Sequence, residues 1–414
     1  MNERVGSDEK ISSFRWVVLA LLFLNIFVAF LGVQCIPPLF KEIANEIPLT
    51  KAQIGLIMGI LTLPSIIFSP VGGALTDRIG SRWAFGIAIM ITALAGMMRG
   101  FADSANGLVA CMFVVGIGTA TIAPNISKSL SMWFPKNEFA MASGIALLAM
   151  TLAAAIGMAT AAGILSPFLG GWRNVMIVPG IIAAVTALMW MVLFRDRKVQ
   201  DAPGAKKSGF KENFKIVFKI KAIWLCSLFY LFRFISTTSI LALLPLILTE
   251  RGISAGKAGA FVAIMMGSNA LFKIAGGTAS DKLGRRKPFL IIGTVVQSFC
   301  VFAFATVSGV PLIIALIIAG AAMGSIAPIF MATIVETKGI GPALAGTAIG
   351  LVFMIGNFGG FIGPIITGKL MDAAGAQWPG FIFMGLCYFV AAFFILPLKD
   401  TGRKKNREVA DNVG

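Results

Sequence analysis

The chain has 414 residues, 57% of them hydrophobic and only 13% charged. A soluble domain carries roughly 25% charged residues, so a water-soluble enzyme or binding module is excluded. The net charge of +17 does not point to nucleic acid, because the cations crowd into a few short loops between apolar runs, as in a membrane protein.

Met1 to Lys10 mixes acids and bases ahead of a long apolar run. A cleavable signal has a purely basic start and a shorter core, so this run reads as a retained first span. Twelve apolar segments follow one another, most of about 20 residues, the length that crosses a bilayer core as a helix. They are predicted at 14–38, 52–72, 84–102, 107–127, 140–166, 174–194, 222–249, 257–278, 288–308, 311–333, 343–370 and 378–398. The fold class is therefore an all-α membrane protein of twelve transmembrane helices.

The longest polar stretch divides these helices six and six. The expected organisation is an N-terminal six-helix half (1–194), a cytoplasmic linker (195–221), a C-terminal six-helix half (222–398) and a cytoplasmic tail (399–414). Lys and Arg are dense in the linker, in the tail and around Arg78 and Arg285, and sparse in the alternate loops. By the positive-inside rule both termini are expected in the cytoplasm, with the protein in the cytoplasmic (inner) membrane. Cys35, Cys111, Cys226, Cys300 and Cys387 lie singly in apolar segments and read as packing residues. Histidine is absent, which removes the commonest proton shuttle and metal ligand. No cofactor and no metal are expected.

One short motif recurs. Gly72-Gly73-Ala74-Leu75-Thr76-Asp77-Arg78-Ile79-Gly80-Ser81-Arg82 returns as Gly276-Gly277-Thr278-Ala279-Ser280-Asp281-Lys282-Leu283-Gly284-Arg285-Arg286. Asp77 and Asp281 are 204 residues apart, as are Gly72 and Gly276, and Pro124 and Pro328. The halves are thus parallel repeats, an arrangement that places a transport site between them.

No Asp or Glu falls in the middle of a predicted span, whereas two cations do. Arg233 lies about 18 and 26 Å along its helix from the nearest flanking charges, and Lys273 about 12 Å from Asp281. An ionisable residue in a span is a functional candidate. Tyr230, Arg233 and Thr237 share one helical face, and Asn269 and Lys273 another. With no mid-span acid to pair with, the simplest counter-ion is a transported anion; Arg suits bidentate binding of a carboxylate or similar oxyanion. Asn25, Asn125 and Asn357 are polar candidates within or near spans, for substrate contact or for helix-to-helix bonding. Ser69 is the repeat-mate of Lys273. Arg99 reads as an anchor at an outer span end, and Lys128 as a topogenic charge.

The doubled motif, the twelve spans and the long central loop resemble the major facilitator superfamily, whose cytoplasmic signature G-x-x-x-D-R-x-G-R-R lies between spans two and three and again between eight and nine. The resemblance implies a gating role for Asp77, Arg78, Arg82, Asp281, Arg285 and Arg286, which would hold the cytoplasmic side shut. Pro124-Asn125-Ile126-Ser127-Lys128-Ser129 to Trp133-Phe134-Pro135, and Gly356-Asn357-Phe358-Gly359-Gly360 to Gly363-Pro364, look like the anion-transporting branches, nitrate/nitrite porters among them. Lys273 occupies the place of the span-eight cation of oxalate/formate and monocarboxylate carriers.

The expected function is a secondary active transporter of a small anion, an organic carboxylate first, working by alternating access. Arg233, Lys273, Tyr230, Asn269, Asn357, Asn125 and Asn25 are the substrate-binding candidates. Coupling would be to a counter-anion or to protons, the latter through peripheral acids such as Glu336 or Asp372. The lipid bilayer is the only other partner expected, and the carrier is expected to act as a monomer. A nitrate/nitrite-type porter and a multidrug or hydrophobic-substrate exporter are the alternatives. A membrane-embedded enzyme would need paired acids or metal ligands within the spans, and none is seen.

Overall fold

The computed structural model describes residues 13–196, 210–340 and 342–401. The side chains of a few helical residues, Ser69 and Asp77 among them, lie outside the described residues, as do most of the linker and tail. Among the described residues, twelve helices are long and apolar enough to cross a membrane: span 1 (Phe14–Gln34), span 2 (Lys51–Phe68), span 3 (Arg78–Phe101), span 4 (Ala105–Trp133), span 5 (Met141–Leu169), span 6 (Trp172–Leu193), span 7 (Lys221–Glu250), span 8 (Ala255–Leu283), span 9 (Lys287–Thr306), span 10 (Val310–Val335), span 11 (Leu344–Ala374) and span 12 (Trp378–Ile395). All five cysteines are free.

Boundaries move where local chemistry dictates. Span 1 stops before Cys35, and a separate helix runs over Ile36–Glu46 with Pro37 and Pro38 in its first turn, where proline needs no N–H partner. Span 2 begins with a capping box: the Thr50 hydroxyl accepts from the Gln53 N–H at 3.2 Å, and Gln53 Oε1 accepts from the Thr50 N–H at 2.9 Å, which settles two donors the helix itself leaves open. Span 8 runs to Leu283, five residues past the predicted end at 278, so Asp281 sits in its last turn and the second signature loop shrinks to Gly284–Arg286. The linker, expected as a polar stretch, contains a short helix, Phe210–Phe218.

The repeat register reappears in contacts. Gly72 of the first signature lies so close to Thr121 of span 4 that no Cβ would fit, and Gly276 meets Ser325 of span 10 in the same way; both partners are themselves 204 residues apart. The signature turns are made by Gly80 (φ 84) and Gly284 (φ 62), conformations only glycine adopts without strain.

The apolar cores differ at the two ends of the bundle. At the end opposite the signature loops, one continuous core joins residues of both halves, such as Leu39, Ile54 and Met158 with Leu243, Val262 and Phe304. Towards the signature end there are two: Leu22, Phe85 and Trp190 in the N-terminal half, and Phe229, Leu290 and Val352 in the C-terminal half. The first end is also latched by polar bonds across the halves. Asp372 accepts from the N–H groups of Lys51 (3.1 Å) and Ala52 (2.9 Å), and Lys51 pairs with Glu250 at 3.1 Å. The bundle is closed at that end by a shared core and by polar bonds between the halves.

Candidate functional site: a cationic cavity beside span 7

A cavity of about 210 Å³ is bordered by spans 7, 8, 10 and 11. Its lining includes Tyr230, Arg233 and Thr237 from span 7 and Asn269 and Lys273 from span 8. The two helical faces inferred from spacing therefore converge on one space. No acid lines it.

Arg233 is 6% exposed. Its Nη2 donates to the Met323 carbonyl at 3.3 Å, while its Nε–H is buried without any partner. An unpaired buried donor on a charged group is destabilising, and an acceptor-bearing anion in the cavity would relieve it. Lys273 reaches across to the N-terminal half, where Nζ donates to Thr151 Oγ1 of span 5 at 3.0 Å. The ring of Tyr230 stacks on Phe234 (centroids 5.2 Å apart) and Phe330 (5.6 Å) and tilts against Phe353 (5.0 Å). Its position is set by span 11, since Gly356 lies flat against the ring where a Cβ would not fit. The walls are thus flat aromatic faces, and the polar groups are cationic or neutral.

The three remaining asparagine candidates do not join this cavity. Asn25 is fully buried between spans 1 and 6, donating to the carbonyls of Leu21 (2.8 Å) and Thr186 (3.2 Å). Asn125 donates to the Thr121 carbonyl at 2.8 Å and accepts from the Ser81 hydroxyl at 3.2 Å, tying span 4 to the first signature. Asn357 offers its backbone carbonyl to Thr62 Oγ1 at 3.1 Å, across the halves. Arg99 is not an interfacial anchor: it is 2% exposed, with Nε donating to Gly96 at 3.1 Å and Nη1 facing the Met112 sulfur at 3.6 Å. Lys128 donates to the Thr76 carbonyl at 2.6 Å.

Three residues at or behind the site went unnoticed in the sequence. Thr151 holds Lys273. Behind Arg233, the Tyr388 hydroxyl lies 2.9 Å from Thr237 Oγ1, and Gln297 is buried with its Oε1 unpartnered. The chain has two tyrosines in all, and both stand within electrostatic reach of Arg233; that pairing was the available signal.

The signature residues remain within their own halves. Asp196, just after span 6, accepts from the N–H groups of Ser81 (2.8 Å) and Arg82 (3.3 Å). Asp400, just after span 12, accepts from those of Arg286 (2.8 Å) and Lys287 (3.3 Å). These acids are again 204 residues apart, a correspondence legible in the sequence once the register was known. Arg82 donates to the carbonyls of Met191 and, at 3.4 Å, Val192. Arg78 is exposed and Asp77 lies outside the described side chains. Arg285 accepts at its carbonyl from Ser280 Oγ at 2.9 Å. Arg286 pairs with Asp281 (2.6 Å) and Glu336 (3.0 Å), and its hydrogen bond to Glu336 foremost, then that to Asp281, raises the guanidinium pKa above its ordinary value. Glu336 and Asp372, considered above as proton routes, are thus engaged at opposite ends of the bundle, and neither lines the cavity.

A twelve-span bundle sealed at one end, with an acid-free cationic cavity between its helices, defines a membrane carrier. The Major Facilitator Superfamily model matches residues 22–266 and 226–413, and the chain belongs to that family. It is a multi-pass membrane transporter and not an enzyme. It is 30% identical to the nitrite extrusion protein of Bacillus subtilis (strain 168), over 92% of this chain and 93% of that one. It is 26% identical to the probable nitrate transporter NarT of Staphylococcus aureus (strain MRSA252), over 91% of this chain and 94% of that one. Among solved structures it is similar in fold to a bacterial homolog of the human lysosomal transporter Spinster, in an inward-facing and occupied conformation (TM-score 0.79, 18% identity, 94% of this chain and 97% of that one). The organic carboxylate expected first finds no support in these relatives, which point instead to nitrate and nitrite. A span-eight cation suits any anion and does not choose among them.

Proposed function

We propose that the chain exchanges small nitrogen oxyanions, nitrate and nitrite, across the cytoplasmic membrane by rocking of its two halves. The observation that carries this reading is the buried, unpaired Nε–H of Arg233 in an acid-free cavity that also holds Lys273. A planar oxyanion offers in-plane acceptors to the guanidinium fork and a flat face to the rings around Tyr230. The names of the relatives supply the substrate class.

Coupling by exchange follows from the same lining. With no acid to neutralise Arg233 and Lys273 in an empty cavity, the return step is favoured only when another anion rides in it. A lipophilic cation would meet two like charges, which disfavours the multidrug alternative. Under the positive-inside orientation the cavity faces the cytoplasm, and the signature residues around Asp77 and Asp281 would come together when that side closes.

Proteoliposomes loaded with nitrite, nitrate, formate or oxalate test this. External labelled nitrate should enter when nitrite or nitrate is inside and stall in empty vesicles. Formate or oxalate uptake with nitrate excluded would overturn the substrate class. Full-rate nitrate entry into empty vesicles, driven by a pH gradient, would overturn exchange.

A further inference from the structure

A second cavity opens at the signature end of the C-terminal half, away from the first. It has a volume of about 280 Å³, larger than the transport cavity, and lies between the start of span 7 and the ends of spans 10 and 12. Lys221, Lys338 and Lys399 line it, with no acid among the lining residues. Of the described acids, those beside Lys338 and Lys399 are engaged elsewhere: Glu336 holds Arg286, and Asp400 holds the Arg286 and Lys287 N–H groups. All three lysines are exposed, so water screens their mutual repulsion, and an anion seated among them would draw on all three.

Two further features point the same way. Lys221 and Ala222 open a 30-residue helix, and their N–H groups have no partner within it and favour negative charge, while the Ile223 N–H donates to the Ile220 carbonyl at 3.0 Å. Thr401, also in the lining, keeps its hydroxyl shut off from solvent with no hydrogen-bond partner. Thr333 and Thr337 form wall only, since their hydroxyls donate to carbonyls of their own helix (2.9 and 2.8 Å). Lysines, helix N–H groups and a spare hydroxyl are all donors, and what they lack is a compact ligand rich in acceptors and carrying more than one negative charge.

We propose that this cavity binds a phosphate group, carried either by an anionic lipid headgroup or by a free phosphate compound. All three contributing helices belong to the C-terminal half, so the site stays intact while the halves rock. Its occupant would brace that half without being transported. At the basic end of the bundle it lies at the level where anionic headgroups gather around lysines.

The test uses the purified full chain in detergent, with melting temperature and binding measured at constant ionic strength. The probes are phosphatidylglycerol, phosphatidylcholine, inorganic phosphate and pyrophosphate. Phosphatidylglycerol should raise the melting temperature and phosphatidylcholine should not. The combined variant Lys221→Gln, Lys338→Gln and Lys399→Gln should weaken binding by about 10-fold or more, and Thr401→Val by a smaller factor. The same charge loss at the opposite end of the bundle, Lys41→Gln, Lys257→Gln and Lys369→Gln, all exposed, should leave it unchanged. Stabilisation by inorganic phosphate or pyrophosphate as well identifies a free phosphate ligand; stabilisation by phosphatidylglycerol alone identifies the lipid. Absence of stabilisation by any phosphate probe beyond phosphatidylcholine overturns the proposal, as does equal weakening by the cavity variant and the opposite-end variant.

Discussion

The two halves share a backbone plan and differ in what they hang on it. In each, a glycine with positive φ turns the signature loop, and an aspartate following the half's last span accepts the N–H groups that open its third helix. Around that common cap the chemistry diverges. In the N-terminal half the Ser81 hydroxyl meets Ser129 (2.5 Å) and Asn125 (3.2 Å) in a neutral cluster. The positions 204 residues on are Arg285, Thr333 and Ile329, and the C-terminal half relies instead on Arg286 between Asp281 and Glu336. The cavity cations Arg233 and Lys273 also both belong to the C-terminal half, while the N-terminal half reaches Lys273 with a neutral hydroxyl, Thr151. The repeat keeps the same joint in both halves, whereas the buried cavity charge stands on one side only.

That asymmetry can be broken most strongly at the cavity. Arg233→Leu should abolish anion exchange in proteoliposomes, and Lys273→Gln should raise the KM for nitrate by about 10-fold, since a hydrogen bond to a charged group contributes about 1.5–3 kcal/mol. Both variants should elute as folded protein. Asn25→Leu, a polar change within a span of the other half, would disturb packing without moving KM; an equal KM effect there would erase the distinction between the halves.

A smaller effect is expected at Gly356. Alanine there drives a methyl into the Tyr230 ring, so it should lower stability by about 1–3 kcal/mol and disturb transport through Tyr230. The replacement at Gly350, where a Cβ has open space, should be close to neutral. Comparing their melting temperatures checks whether the glycine-rich stretch of span 11 is there to seat span 7.

The smallest effect sharpens the symmetry itself. Asp196→Ala and Asp400→Ala each remove a helix cap and should each lower stability by about 0.5–2 kcal/mol. Similar losses would fit a shared joint. A much larger loss at Asp400 would mean that the Arg286 network, and not the cap, carries the C-terminal hinge.

The cavity was partly legible in the sequence because Tyr230, Arg233 and Thr237, and Asn269 and Lys273, declare their faces by helical spacing. Asn25, Asn125 and Asn357 were not sorted, since a lone amide in an apolar span has the same sequence appearance whether it bonds a neighbouring helix or faces a cavity. Thr151, Gln297 and Tyr388 were missed for a related reason. Spans apolar on every side carry no amphipathic stripe to say which face looks inward.

By itself the sequence determined the class of this protein, its spans and the 204-residue register. Span length, charge placement and repeat spacing are local properties that the bilayer reads directly. It also supplied two uncompensated mid-span cations. Only the tertiary structure decided that these cations share one acid-free cavity, that the sealed end has one core and the signature end two, and that Asp372 latches the first. Each of those depends on which helix stands beside which, and in an apolar bundle that is set by close approaches at glycine and by buried donors seeking partners, contacts made between residues far apart in the chain.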